Sequence, residues 1–182
     1  MVSFPNSLEL PELILPYLSR MPCLNSPIDF ILFITIMTYK GKFKPKNPIK
    51  YKGDVKDIVY RSSWELKMMK YCDTTKSIVE WGSEEVVIPY VSPWDGRYHR
   101  YFPDFYVKVR DKNSNIKKYI IEVKPKHQCS PPEKSPKRRT GAWFNKVRTW
   151  GINKAKWDSA KEFCLDHNME FKILTEDHLN PR

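Results

Sequence analysis

At 182 residues the chain has room for one domain with a proper core, and not for two comfortable ones. Its 32 Lys and Arg against 21 Asp and Glu give a formal charge of +11 and a pI near 9.4, which favours a polyanionic partner, nucleic acid above all. Four cysteines without a C-x-x-C spacing and four dispersed histidines suggest neither a disulfide framework nor a zinc site.

The first 36 residues stand apart from the rest. They hold five prolines and only four charged residues (Glu9, Glu12, Arg20 and Asp29), and they end in the apolar run Phe30–Ile36. That run is about half the length that spans a bilayer. Asp29 abuts it and no small-residue cleavage site follows, so it is not a signal peptide either. No membrane partner is expected. The composition changes abruptly at Met37, and the expectation is that Met37 is the true start, with residues 1–36 a non-native extension or a disordered segment.

Residues 37–56 read as an extended basic arm, since Lys40–Lys56 carries seven lysines punctuated by Gly41, Pro45, Pro48 and Gly53. A single domain is expected over 57–182. It opens with a predicted helix, Asp57–Cys72, with Ser62 or Ser63 near its start. On that helix Glu65 shares a stripe with Met68, Met69 and Cys72. A carboxylate on a core-facing stripe is either a site residue or a first-turn Glu favoured by the helix dipole.

Two strands follow, Ile78–Trp81 and Val86–Val91, and Ser92–Gly96 supplies a turn. Then come two longer strands, Arg100–Arg110 and Lys117–Lys124, around the polar turn Asp111–Asn115. Residues 125–141, Pro-rich and basic, read as a mobile loop. A long helix is predicted over about Trp143–His167, with Trp157, Ala160, Phe163 and Cys164 as its apolar stripe. Asn168 stops it, and Glu170–Leu174 makes a last strand. This order gives a mixed α/β domain with helices packed on a central sheet.

The chemistry concentrates in the second hairpin. If it is symmetric about Asn113, Asp104 faces Glu122, and opposed residues bring their β-carbons to about 5 Å. Lys124 lies two residues from Glu122, on the same face. These charges interrupt aromatic and β-branched runs, Phe102–Tyr106 and Tyr119–Lys124, where a charge needs a reason. Asp104 and Glu122, with the carbonyl of Val123, make a hard-oxygen set suited to magnesium, which keeps several waters and takes one or two carboxylates. Glu65 is a candidate to orient a metal-bound water or to hold a second ion. Lys124 serves either as a positioning cation or, with a strongly lowered pKa, as a general base. A one-residue slip of register would put these side chains on opposite faces.

Pro103-Asp104 followed by Glu122-Val123-Lys124, with the helical Glu65 upstream, resembles the signature of the PD-(D/E)xK nuclease superfamily. More narrowly, Tyr51–Gly53, Val59–Leu66, Glu80–Glu85, Ile88–Tyr90, His99–Lys108, Ala155–Trp157 and Phe163-Cys164 are similar to the head completion nucleases of T4-like tailed bacteriophages. The resemblance implies a restriction-endonuclease-like α/β core with Glu65, Asp104, Glu122 and Lys124 as catalytic residues. It also implies a metal-dependent DNA endonuclease that uses Mg2+, with Mn2+ as a substitute. Such a protein acts in head completion before tails join, and belongs in a virion assembled in the host cytoplasm beside head, portal or neck proteins. The basic residues suit that substrate. Lys44, Lys46, Arg61, Lys126, Arg138, Arg139, Lys146 and Lys154 are candidates to neutralise phosphates without reading sequence. Two other readings stand beside it: an endonuclease subunit of a Tn7-like transposon, which the C-terminal segments also resemble, and a non-catalytic head-closure protein that grips DNA.

Overall fold

The structure is a computed structural model that describes residues 40–132 and 140–179. Residues 1–36, and Arg138 and Arg139 with them, lie outside the described residues. Strand β1 (Gly41–Lys42) pairs antiparallel with β2 (Val59–Tyr60), and α1 follows at Ser63–Thr74. Next come β3 (Ile78–Ser83), β4 (Ile88–Val91), β5 (Tyr98–Tyr101), β6 (Phe105–Arg110) and β7 (Ile116–Val123). The long helix α2 (Gly141–Asp166), β8 (Glu170–Leu174) and the one-turn α3 (Glu176–Leu179) complete the chain.

Four strands form the central sheet in the order β3-β6-β7-β8; the first two pairings are antiparallel and β7–β8 is parallel. The alternation of β7 sorts its side chains. Tyr119, Ile121 and Val123 join Met68, Met69 and Cys72 of α1 in one core, while Ile120 joins Tyr106 and Cys164 of α2 in another. The sheet is thus covered by one helix on each face, the α/β architecture expected of a restriction-endonuclease-like core. The β4–β5 hairpin lies beside α2, with Ile88, Tyr90 and Tyr101 packed on Ala160.

Three departures from the sequence expectation shape the domain. The helix expected from Asp57 begins at Ser63, because Val59 and Tyr60 are held by β1 and Ser62 takes the cap, its hydroxyl accepting from the Glu65 N–H at 3.1 Å. The strand expected over Arg100–Arg110 is two strands in two sheets, broken at Phe102-Pro103-Asp104. Pro103 has no N–H for a ladder and restricts the residue before it, so β5 ends there and the chain crosses into the central sheet. The basic segment from Lys40 runs along the domain: Phe43 and Tyr51 are core residues around Trp81, and the buried Asp73 accepts the backbone N–H groups of Lys46 and Asn47. At the other end, α2 stops as expected, with Asn168 in the left-handed region at φ 53°.

Candidate active site

The register of β6 and β7 pairs Phe105 with Ile121 and Lys108 with Lys118, so one residue further Asp104 stands opposite Glu122. This is the hairpin symmetric about Asn113. Its turn is closed by Asp111, whose carboxylate accepts from the N–H groups of Asn113 and Asn115. Glu122 has the parity of Ile120 and faces α2. It is 3 % exposed, and each of its oxygens has a partner. Oε1 takes the Lys124 ammonium at 2.9 Å, and Oε2 accepts the Tyr101 hydroxyl at 2.6 Å. Asp104 is held from the backbone, its Oδ2 accepting the Val123 N–H at 2.7 Å. The β6–β7 ladder ends at the Phe105–Ile121 pair, two residues before Val123, and Pro103 has no N–H with which to continue it.

Burial and the neighbouring charge of Glu122 push the Asp104 carboxyl well above the ordinary carboxylate range, against the pull of Lys124 and the Val123 N–H. Burial alone would lower the Lys124 ammonium, yet Glu122 and Asp104 outweigh it and the net shift is upward. In the chain alone, the two carboxylates thus hold Lys124 toward its charged form. Tyr101 is driven upward by burial and by the Glu122 charge, so its hydroxyl stays a proton donor.

Glu65 comes from α1, on the other face. Its Oε1 accepts the Ser62 hydroxyl at 2.9 Å and its Oε2 the Arg61 N–H at 2.7 Å, a capping box at the start of the helix. Its charge is felt by Asp104 and Lys124, but among the described residues no three His, Cys, Asp or Glu side chains are gathered to hold a metal. The structure brings Asp104, Glu122, Val123 and Lys124 together and leaves Glu65 beside them. Two desolvated carboxylates and a backbone carbonyl fit a hard, hydrated cation such as Mg2+, which asks for only one or two carboxylates. They do not fit an ion that needs a full protein cage.

The expected phosphate contacts divide. Lys44, Lys46 and Lys146 are exposed and form no salt bridge among the described residues. Lys146 lines a cleft of about 610 Å³ with His127, Ser130, Trp143, Trp150 and Asn153, between the turn after β7 and the first half of α2. That cleft lies next to the carboxylates along the chain and does not contain them. Arg61 pairs with Glu84, Lys126 with Asp177 at 2.6 Å, and Lys154 with Asp158, so each already has an internal partner. Two residues at the site were missed. Tyr101 was hidden inside the single strand expected over Arg100–Arg110. Lys156 reaches the cluster from α2: burial lowers its pKa, and the fields of Glu122, Lys124 and Asp104 act on it. Its signal was legible, since it lies three residues from Asn153 and four from Ala160, both on the buried stripe.

The chain matches the TnsA-like endonuclease N-terminal family over residues 75–176, a span that holds β3 to β8 and three of the four charged site residues. It is also 40% identical over 146 residues to the head completion nuclease of Enterobacteria phage T4, covering 79% of this chain and 95% of that protein. The chain belongs to the head completion nuclease family. Glu122-Val123-Lys124, at the end of β7, and Pro103-Asp104 across the hairpin fit the PD-(D/E)xK pattern of such a nuclease. The family match to a TnsA-like domain does not favour a transposon setting over head completion, because the relative that covers the whole domain is a phage nuclease.

Proposed function

We propose that this protein is a divalent-metal-dependent DNA endonuclease that hydrolyses phosphodiester bonds during phage head completion, with Mg2+ as the ion and Asp104, Glu122 and Lys124 as the catalytic residues. The observation that carries the assignment is the pair of opposed carboxylates at the β6–β7 junction, one of them buried and paired to a lysine two residues on. In water such a pair repels and gains nothing, and burial makes it worse. It is worth keeping if a cation and a phosphate complete it.

Asp104, Glu122 and the Val123 carbonyl are the groups that would hold the ion. When bound, it would polarise the phosphate and lower the pKa of a coordinated water. The chain's own residues do the rest. The Val123 N–H fixes Asp104, and the Tyr101 hydroxyl with the Lys124 ammonium fixes Glu122, so neither carboxylate must reorganise when substrate arrives. Lys124, held charged, donates to a non-bridging oxygen on which negative charge grows as water attacks. Glu65 supports the site from α1 as a third carboxylate. The exposed lysines Lys44, Lys46 and Lys146 hold the DNA backbone, with affinity that depends on salt and not on sequence. Head, portal or neck proteins are the partners proposed for its place in the virion.

Plasmid cleavage by wild type and by Asp104→Ala, with and without EDTA, tests the reading. Nicking should require both the divalent ion and Asp104, while both proteins fold and retain DNA. Cleavage that survives either chelation or the substitution would refute the site. Infectious particles assembled with the Asp104→Ala protein would support a DNA-gripping structural role in its place.

A further inference from the structure

Lys156 is a half-buried ammonium with an unusual set of neighbours. It stands 5.5 Å from the centroid of the Tyr101 ring and 5.6 Å from that of Tyr90, on the side of the sheet that carries Glu122. Its helix neighbours Lys154 and Lys161 pair with Asp158, and Lys124 pairs with Glu122. Lys156 forms no ion pair within 4 Å among the described residues, although the charges of Glu122, Lys124 and Asp104 all bear on it. The two ring faces offset part of the cost of burying it. An ammonium needed only as a counter-ion would sit on Glu122, as Lys124 does. This one is instead held beside the carboxylates, on the helix that faces them, with its donors uncommitted to any acid.

We propose that Lys156 is a second lysine of the site, which binds a non-bridging oxygen of the DNA phosphate presented to Asp104, Glu122 and Lys124. The proposal rests on the nuclease reading and deepens it. A compact ammonium with three rotatable donors suits a single phosphate oxygen as a point charge. Tyr101 links the two halves of the arrangement, its ring under Lys156 and its hydroxyl on Glu122. The phosphate would then be gripped from the helix by Lys156 and from the strand by Lys124.

Lys156→Met separates this role from a packing one, because methionine keeps an apolar stem on the two rings and removes the charge. Lys156→Arg restores a cation, and Lys161→Met, on the exposed side of the same helix, is the control. The readouts are kcat and KM for plasmid cleavage, and DNA binding in EDTA as a function of salt. Lys156→Met should lose at least about tenfold in kcat/KM, and its plot of log affinity against log salt should be shallower by about 0.9, the loss of one phosphate contact. Lys156→Arg should recover the slope and most of the rate, and Lys161→Met should match wild type.

Wild-type rate and slope in Lys156→Met would overturn the proposal. So would an Arg variant that folds but is no better than Met, or a Lys161→Met variant as impaired as Lys156→Met. If instead wild type does not cut, or Asp104→Ala cuts as well as wild type, the nuclease reading itself fails and takes Lys156 with it. Cutting that needs Asp104 and ignores Lys156 sinks only the present proposal.

Discussion

The Tyr101 hydroxyl donates a 2.6 Å hydrogen bond to Glu122 Oε2, and so ties the β4–β5 hairpin to the central sheet through the most deeply buried carboxylate of the site. Tyr101→Phe removes that donor and leaves a buried carboxylate oxygen with nothing in its place. We expect a loss of about 1–3 kcal/mol in urea denaturation. Cleavage should fall with it, because Glu122 would then be held by Lys124 alone. An unchanged denaturation midpoint would mean that water replaces the hydroxyl.

Asp104 should be a liability in the metal-free protein, and the sign of its effect is fixed. Its folded pKa is pushed up to about 8, by burial first and by Glu122 second, while in the unfolded chain it is near 4. Below pH 4 both states carry the proton and nothing is lost. As pH rises from 4 through 8 the unfolded chain ionises freely and the folded one does not, so stability is lost over that window. Asparagine cannot ionise and can still accept the Val123 N–H. Asp104→Asn should therefore equal wild type at pH 4 and exceed it at pH 8, by at most about 5 kcal/mol. Thermal unfolding in EDTA across that range is the measurement; a variant less stable than wild type at pH 8 contradicts the burial cost.

Addition of Mg2+ should reverse that penalty in wild type. A ligand at about a hundredfold its dissociation constant stabilises by about 2.7 kcal/mol. Wild-type Tm should rise with Mg2+, more at pH 8 than at pH 5, where the proton competes with the ion for Asp104. Asp104→Asn should show no rise at either pH. Equal shifts in the two proteins would place the ion elsewhere.

Ser62 and Glu65 share a capping box, which allows structure and chemistry to be separated. Ser62→Ala should cost about 1 kcal/mol of stability and leave cleavage within a fewfold of wild type. Glu65→Gln preserves the box, since glutamine serves at that position, and removes the charge that acts on Asp104 and Lys124. It should keep the wild-type Tm and lose at least about tenfold in rate. If Glu65→Gln cuts normally, Glu65 is a helix cap and nothing more.

The parts of the site that lie close together in sequence were legible. The hairpin register followed from a single polar turn, Asp111–Asn115, because one break between two alternating runs leaves little choice of centre, and Asp104 and Glu122 followed from the register. β8 was read at its full length, Glu170–Leu174, after the stop at Asn168. What escaped was set by groups distant along the chain. That Lys126 is spent on Asp177, and Arg61 on Glu84, depends on side chains that only the fold brings near. Tyr101 was misplaced because aromatic and basic residues continue through Phe102-Pro103-Asp104 without a polar gap, so the pattern ran on where the proline stopped the ladder. Glu65 was the even case, and the structure gives weight to both sides: it caps its helix and stands within the field of the site.

The break at Pro103 also sets the far end of the β4–β5 hairpin apart from the sheet that carries the carboxylates. Among the described residues the β4–β5 hairpin meets the carboxylates through Tyr101 at its base, while its tip, the Ser92–Gly96 turn with Trp94 64 % exposed beneath Arg148 and Gly96 at φ 67°, lies at the other end of two four-residue strands. Grafting a longer or differently charged tip onto that ribbon would leave Asp104 and Glu122 on their own sheet. The hairpin is thus an attachment point at which an engineered nuclease of this family can acquire a new DNA shape preference or a new docking partner while its cutting chemistry stays as it was.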